Sequence, residues 1–146
     1  MNESTEECVA LQLQRLSLAL QLGAARPALA CFTSEASFYG DDLDEEVHGA
    51  ADLGCYLEEL AEGPVPTWEP VRVRARRRHG LIWFVAACDA VVRYPDGLSE
   101  RTQLRVSGVL VKHSRRWLFD LLEVSRPSSA REELWISVGA GQQTTA

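Results

Sequence analysis

Between Phe38 and Gly49 the chain reads FYGDDLDEEVHG, with five carboxylates and one histidine from Asp41 to His48. Such a set can bind a metal, move protons, or form a solvated turn. A calcium loop of the helix-loop-helix kind needs glycine at its sixth position and glutamate at its twelfth. Counted from Asp42, those positions hold Val47 and Leu53, so the calcium pattern is not met. Zinc or iron needs two or three ligands at fixed spacing. His48 has no second histidine near it, because His79 and His113 fall in turn-like segments. Acids side by side repel one another unless water solvates them. Asp42, Asp44, Glu45 and Glu46 are therefore expected on a surface rim, with at most Asp41 turned inward.

Two further acids interrupt apolar runs. Glu123, in LLEVSRP, stands at the end of an apolar strand, and Arg105 in LRVSG is a candidate partner for it if that end is buried. Asp89 breaks FVAACDAVV. Each has a functional reading as a pocket carboxylate and a structural one as an exposed strand end or edge residue. Trp68, Trp83 and Tyr39 would line a pocket or fill the core. The four cysteines, Cys8, Cys31, Cys55 and Cys88, include no Cys-x-x-Cys pair and sit in apolar, periodic stretches. They read as small buried residues in a reducing compartment.

The elements that must hold these residues change character near Thr67. Before it the apolar period is helical. Ser4 and Glu7 form a capping box ahead of Val9, Leu13, Leu16 and Leu20, and Gly23 supplies a stop. A short second helix is expected over PALACF from Pro27, with proline in its first turn, followed by a short strand at ASFY. Gly49 then opens a third helix, whose apolar stripe is Leu53, Tyr56, Leu57 and Leu60 and which Gly63-Pro64 closes. Beyond Thr67 the period is two. Turn signals at His79-Gly80, Pro95–Gly97 and His113–Arg116 divide the rest into about four strands. Helices segregated before an antiparallel meander make an α+β fold.

Both sides of these strands are apolar. Leu81, Trp83, Val85 and Ala87 alternate with Ile82, Phe84, Ala86 and Cys88, and Trp117, Phe119 and Leu121 with Leu118, Leu122 and Val124. Three short helices can cover one face only, so a homodimer through the other face is expected. The run RVRARRRHG, with Arg72, Arg74, Arg76 and Arg78 alternating, reads as the wet face of a strand or a docking patch for an acidic partner.

At 146 residues the chain suits one domain. Its net charge of −6 argues against a general nucleic-acid binder, which needs a basic surface. No signal peptide is recognised at the start, and no window reaches the roughly 18 apolar residues of a membrane span. A cytoplasmic protein is expected.

Four segments carry a family resemblance by their order and spacing: ALACFTSEASFYGDD, VHGAADLGCYLEEL, LRVSGVLVKHSRRW and WLFDLLEVSRP. From about Val9 to Pro127 the chain resembles the nuclear transport factor 2-like superfamily, and within it the SnoaL-like proteins. The resemblance implies a cone, with about three N-terminal helices packed on a strongly bent, mainly antiparallel sheet around a pocket. It assigns residues 1–127 to one SnoaL-like domain and leaves 128–146 as a partly flexible extension, in which Leu134, Trp135 and Ile136 are a candidate latch. Relatives include ketosteroid isomerases, dehydratases, epoxide hydrolases, polyketide cyclases and non-catalytic assembly modules, so the fold does not choose a chemistry.

The general base of the isomerase-like members falls on Gly40 here, with Asp41 next to it, and the first helix lacks their oxyanion-binding tyrosine. Glu123 stands where many SnoaL-like proteins have a histidine. The resulting expectation is a protein that binds a small apolar organic molecule, with no cofactor and no metal, either as an acid/base enzyme or as a non-catalytic dimerisation module. Asp41, Glu123 and Arg105 are the candidate catalytic residues, and Tyr39, Trp83, Asp89 and Trp68 the candidate ligand contacts. A chelator and a reductant should each leave the melting temperature unchanged. Stoichiometric zinc in elemental analysis would contradict this.

Overall fold

The first helix opens on a reciprocal cap. Glu7 N–H donates to Ser4 Oγ at 3.1 Å and Ser4 N–H donates to Glu7 Oε2 at 3.0 Å, which satisfies donors that no helical carbonyl can reach. From there α1 (Thr5–Gln21) buries Val9, Leu13, Leu16 and Leu20, and Gly23 ends it at φ 71°. The computed structural model describes residues 3–127. The expected latch at Leu134, Trp135 and Ile136, like the rest of the C-terminal extension, lies outside the described residues.

The second helix, α2 (Ala25–Leu29), begins and ends earlier than PALACF would place it. Pro27 is its third residue, where a backbone N–H still has no helical acceptor, so proline is tolerated there. Phe32 is thereby released to start β1 (Phe32–Tyr39), which is longer than the ASFY fragment. The acidic stretch contains an unexpected strand, β2 (Glu46–His48), antiparallel to β1 with Ser37 opposite His48 and Tyr39 opposite Glu46. Repulsion among the acids does not prevent pairing, because alternation sends Glu46 and His48 outward while Val47 packs against the core. Gly49 at φ 84° turns the chain into α3 (Ala50–Ala61), which buries Leu53 and Leu57.

Four long strands follow: β3 (Thr67–Arg78), β4 (Leu81–Arg93), β5 (Ser99–His113) and β6 (Arg116–Ser125). They are joined at the expected turns. The sheet order is β2-β1-β6-β5-β4-β3, parallel between β1 and β6 and antiparallel elsewhere. The helices lie on one face, over Ile82, Phe84, Ala86, Leu110 and Leu122. Leu81, Trp83 and Val85, on the other face, are 48%, 50% and 39% exposed.

Strict alternation along the last strand would set Phe119 apart from Leu122 and Val124. Instead all three are buried. Leu121 faces Val109 and Phe119 faces Leu110, which leaves Asp120 as an extra residue in a bulge. One inserted residue inverts the side-chain alternation, so Leu118 and Leu121 turn outward. Burial also differs among the cysteines: all four are free thiols, Cys8 and Cys88 are buried, Cys31 is half-buried, and Cys55 is exposed on α3. Burial pushes the Cys88 thiol up to about 11 and raises Cys8 and Cys31 as well.

Gly108 faces the core between Phe84 and Leu122, where a Cβ would collide with the Leu121 carbonyl beside the bulge. Gly108→Ala should therefore destabilise the fold by about 1–3 kcal/mol, as overpacking does. Denaturant unfolding measures this, and an unchanged midpoint would refute it.

Candidate functional site

Where the inner ends of α1 and α3 diverge from the sheet, a cavity of about 180 Å³ remains. Leu20 comes from α1, Tyr56 and Leu60 from α3, Phe38 from β1, Trp68 from β3, Leu104 from β5 and Val124 from β6. The Pro64-Val65-Pro66 segment closes one side, and Asp41, Glu45 and Arg126 stand at the polar end. The Trp68 backbone N–H donates to the buried Ser17 Oγ at 2.9 Å, which fixes the start of β3 on α1.

The polar groups form two pairs. Tyr56 Oη donates to Glu45 Oε2 at 2.6 Å, and Arg126 Nε lies 3.5 Å from Asp41 Oδ2. Burial, then the bond to Glu45, then the nearby acid charges raise the Tyr56 phenol well above its ordinary value. Tyr56 therefore remains a hydrogen-bond donor throughout the neutral range. Gly40 makes the Glu45 position possible, since a Cβ there would collide with the Glu45 side chain. Asp41, Asp42 and Glu45 offer carboxylate oxygens within 4.8 Å of one another, a spacing that suits a hard cation. Two of the three are already engaged, Asp41 by Arg126 and Glu45 by Tyr56.

Among the residues singled out by sequence, Asp41 and Trp68 line this cavity. Glu123 and Tyr39 line a separate groove of about 450 Å³ on the rim, which Asp41, Asp42, Glu45 and Glu46 also border. The anticipated Arg105–Glu123 pair is absent among the described residues: Arg105 stands opposite Ser125 and Glu123 opposite Ser107. Leu122 and Val124 occupy the inner side of β6, so alternation sends Glu123 outward. Asp89 pairs with Arg101 at 2.8 Å, and Arg101 also reaches Glu69 at 3.3 Å. Trp83 is half exposed on the sheet face away from the helices, with the Arg76 guanidinium 5.8 Å from its ring. His48 bridges Ser37 at 2.8 Å and Glu46 at 2.9 Å and so ties β2 to β1.

Sequence reasoning overlooked Tyr56, Glu45 and Arg126 as site residues. Tyr56 carried a usable signal, because it is the one member of the inward α3 stripe with a polar tip. Glu45 carried a weaker one, as it lies two residues before the inward-facing Val47 and shares its side once β2 is recognised.

No family model matches the sequence, and no curated protein matches it. Solved structures do. A candidate calcium/calmodulin-dependent protein kinase II association domain from Xanthomonas campestris superimposes with a TM-score of 0.76 at 14% identity, over 87% of this chain and 91% of that one. A candidate scytalone dehydratase from Novosphingobium aromaticivorans gives 0.72 at 12% identity, over 83% of each chain. A nuclear transport factor 2-like protein of unknown function from Pseudomonas putida gives 0.69 at 12%, over 87% and 89%. The chain thus has the nuclear transport factor 2-like, cystatin-like fold, an α+β cone of helices on a mixed, mainly antiparallel sheet that does not close into a barrel. No helix among the described residues is long and apolar enough to cross a membrane.

Tyrosine titration tests the site geometry. The unfolded phenol ionises near its ordinary 10.0, whereas the folded Tyr56 holds its proton to higher pH. Its contribution to stability is then fully present below pH 10 and lost as the pH rises through the folded value. Tyr56→Phe should flatten the fall of stability above pH 10, and it should remove from the folded protein the phenolate absorbance that appears only at the highest pH. An equally steep fall in the variant would exclude the half-buried Tyr56–Glu45 bond.

Proposed function

We propose that the cavity binds a small, mostly apolar organic molecule and that Glu45 and Tyr56 handle a proton at its one polar end. The observation that carries this is the distribution of the lining: apolar side chains throughout, with Tyr56, Glu45, Asp41 and Arg126 gathered at one end. Binding sites of small molecules have this character. A dry cavity of about 150 Å³ accommodates benzene, so the available volume favours a ligand of one ring or an equivalent chain. In the isomerase-like relatives the base occupies the position of Gly40. Here Glu45 folds across that glycine, and its carboxylate takes the space that a side chain at position 40 would need.

Tyr56 holds one Glu45 oxygen and leaves the other to accept a proton from the ligand, while Asp41 and Arg126 anchor a polar substituent. Proton abstraction next to a carbonyl or a leaving hydroxyl is the reaction class this supports, in keeping with the dehydratase name of one structural neighbour. A second reading, a non-catalytic assembly module, draws on the exposed apolar face of the sheet opposite this cavity.

A panel of single-ring carbonyl and hydroxyl compounds, followed by the NMR signal of the Trp68 indole, tests the proposal. Compounds should bind to the wild type, and Leu60→Trp at the mouth should block them without unfolding the protein. For any compound turned over, Glu45→Gln should retain binding and slow turnover by about 10²-fold or more, while Asp41→Asn should act mainly on affinity. Ligands that leave Trp68 unperturbed, or turnover indifferent to Glu45→Gln, would overturn it.

A further inference from the structure

Asp89 and Arg105, which the cavity does not use, border one recess on the face of the sheet turned away from the helices. Its volume is about 550 Å³, and a smaller hollow of about 100 Å³ adjoins it, with Arg72, Ala87 and Arg105 lining both. Strand register explains why these residues meet. Arg72 on β3 and Arg105 on β5 both stand opposite Ala87 on β4, so two arginines flank a methyl group too short to separate them. Arg74, two residues further along β3, lines the smaller hollow. A bulge brings this about: the register shifts between Pro70 and Arg72, so Val71 is an extra residue and Arg72 takes the place opposite Ala87 that Val71 would otherwise hold. Among the described residues, none of Arg72, Arg74 and Arg105 has an ion pair. The acid nearest to them in the recess, Asp89, is held by Arg101 at 2.8 Å. Like charges side by side on one sheet face oppose folding, and a bound oxyanion would relieve them.

We propose that this recess binds a small hydroxylated organic phosphate, with Arg72 and Arg105 gripping its phosphate from either side above Ala87 and Arg74 adding a third charge. The planar guanidinium fork matches phosphate oxygens two at a time. A phosphate monoester offers three free oxygens to three arginines, whereas a carboxylate offers two. The recess exceeds a phosphate group in size, and beyond the arginines it presents the Gln103 amide opposite the Asp89 carboxylate. An amide and a carboxylate side by side can both donate to and accept from hydroxyl groups. Among the described residues no aromatic side chain lines the recess, so a nucleoside base would find no stacking partner in it. The recess shares only the buried Leu104 with the lining of the cavity on the helix side, and no polar group, so the two readings are tested separately.

Calorimetric titration of the whole chain with glycerol phosphate at constant ionic strength tests the proposal. Wild type should bind one equivalent, more tightly than it binds inorganic phosphate. Arg72→Gln and Arg105→Gln should each weaken binding about tenfold, as loss of a charge-assisted hydrogen bond does, whereas Arg78→Gln, at the far end of β3, should not. Ala87→Leu, which fills the floor and keeps every charge, should abolish binding with an unchanged circular dichroism spectrum. Gln103→Ala should erase the preference for glycerol phosphate over inorganic phosphate without weakening the latter. No saturable binding to wild type, or a loss in Arg78→Gln equal to that in Arg72→Gln, would overturn the site. Succinate bound as tightly as glycerol phosphate would overturn its assignment to phosphate, and an undiminished preference in Gln103→Ala would overturn the hydroxyl contact.

Discussion

Burial of α1 and α3 against a single face of the sheet is the constraint from which the other features follow. The helices contribute Val9, Leu13, Leu16, Leu53 and Leu57 to one layer with Phe84, Phe119 and Leu122. Aromatic contacts lock its middle, with Phe119 5.6 Å from Phe32 and 6.1 Å from Phe84 between ring centroids. Because that layer must close, Phe119 and Leu122 both have to face inward, and the bulge at Asp120 is how the strand achieves it. Where the helices part from the sheet the layer is incomplete, and the cavity is the space left over.

The same constraint sorts the charged residues. A side chain on a strand has two destinations, and once the core claims one of them its neighbours are assigned to the other. Val47 goes in, so Glu46 and His48 go out and Glu45 shares the inner side. On β3, Val73 and Ala75 pack against the core and send Arg72, Arg74 and Arg76 outward. The acidic run FYGDDLDEEVHG is thus not a uniform loop. Asp41 and Glu45 stand at the cavity, while β2 turns Glu46 and His48 to the opposite side.

Much of the fold was legible because its signals are local. The capping box at Ser4 and Glu7, the Gly23 stop, and the turns at His79-Gly80 and Pro95–Gly97 depend on neighbours a few residues away. β2 was missed because three residues are too few to show a period, and its pairing with β1 is a tertiary fact. The β6 alternation was misread for a related reason, since a bulge is invisible until the partner strand supplies the register. The site was only partly legible. Asp41 and Trp68 were named, but Tyr56 looked like one more member of a core stripe, and Glu45 looked like one acid among five. What distinguishes them is the contact between them, across eleven residues of sequence, and no spacing rule encodes it.

β3 is also a margin of the sheet, twelve residues long, with no strand beside its outer edge among the described residues. A bare strand of that length is a template on which another chain could add its own, and growth of that kind has no natural end. Five of the last seven residues of β3 are arginines. Two such margins brought side by side would repel along most of their length, so the molecule is guarded against open-ended stacking into ribbons at the edge where it is most vulnerable.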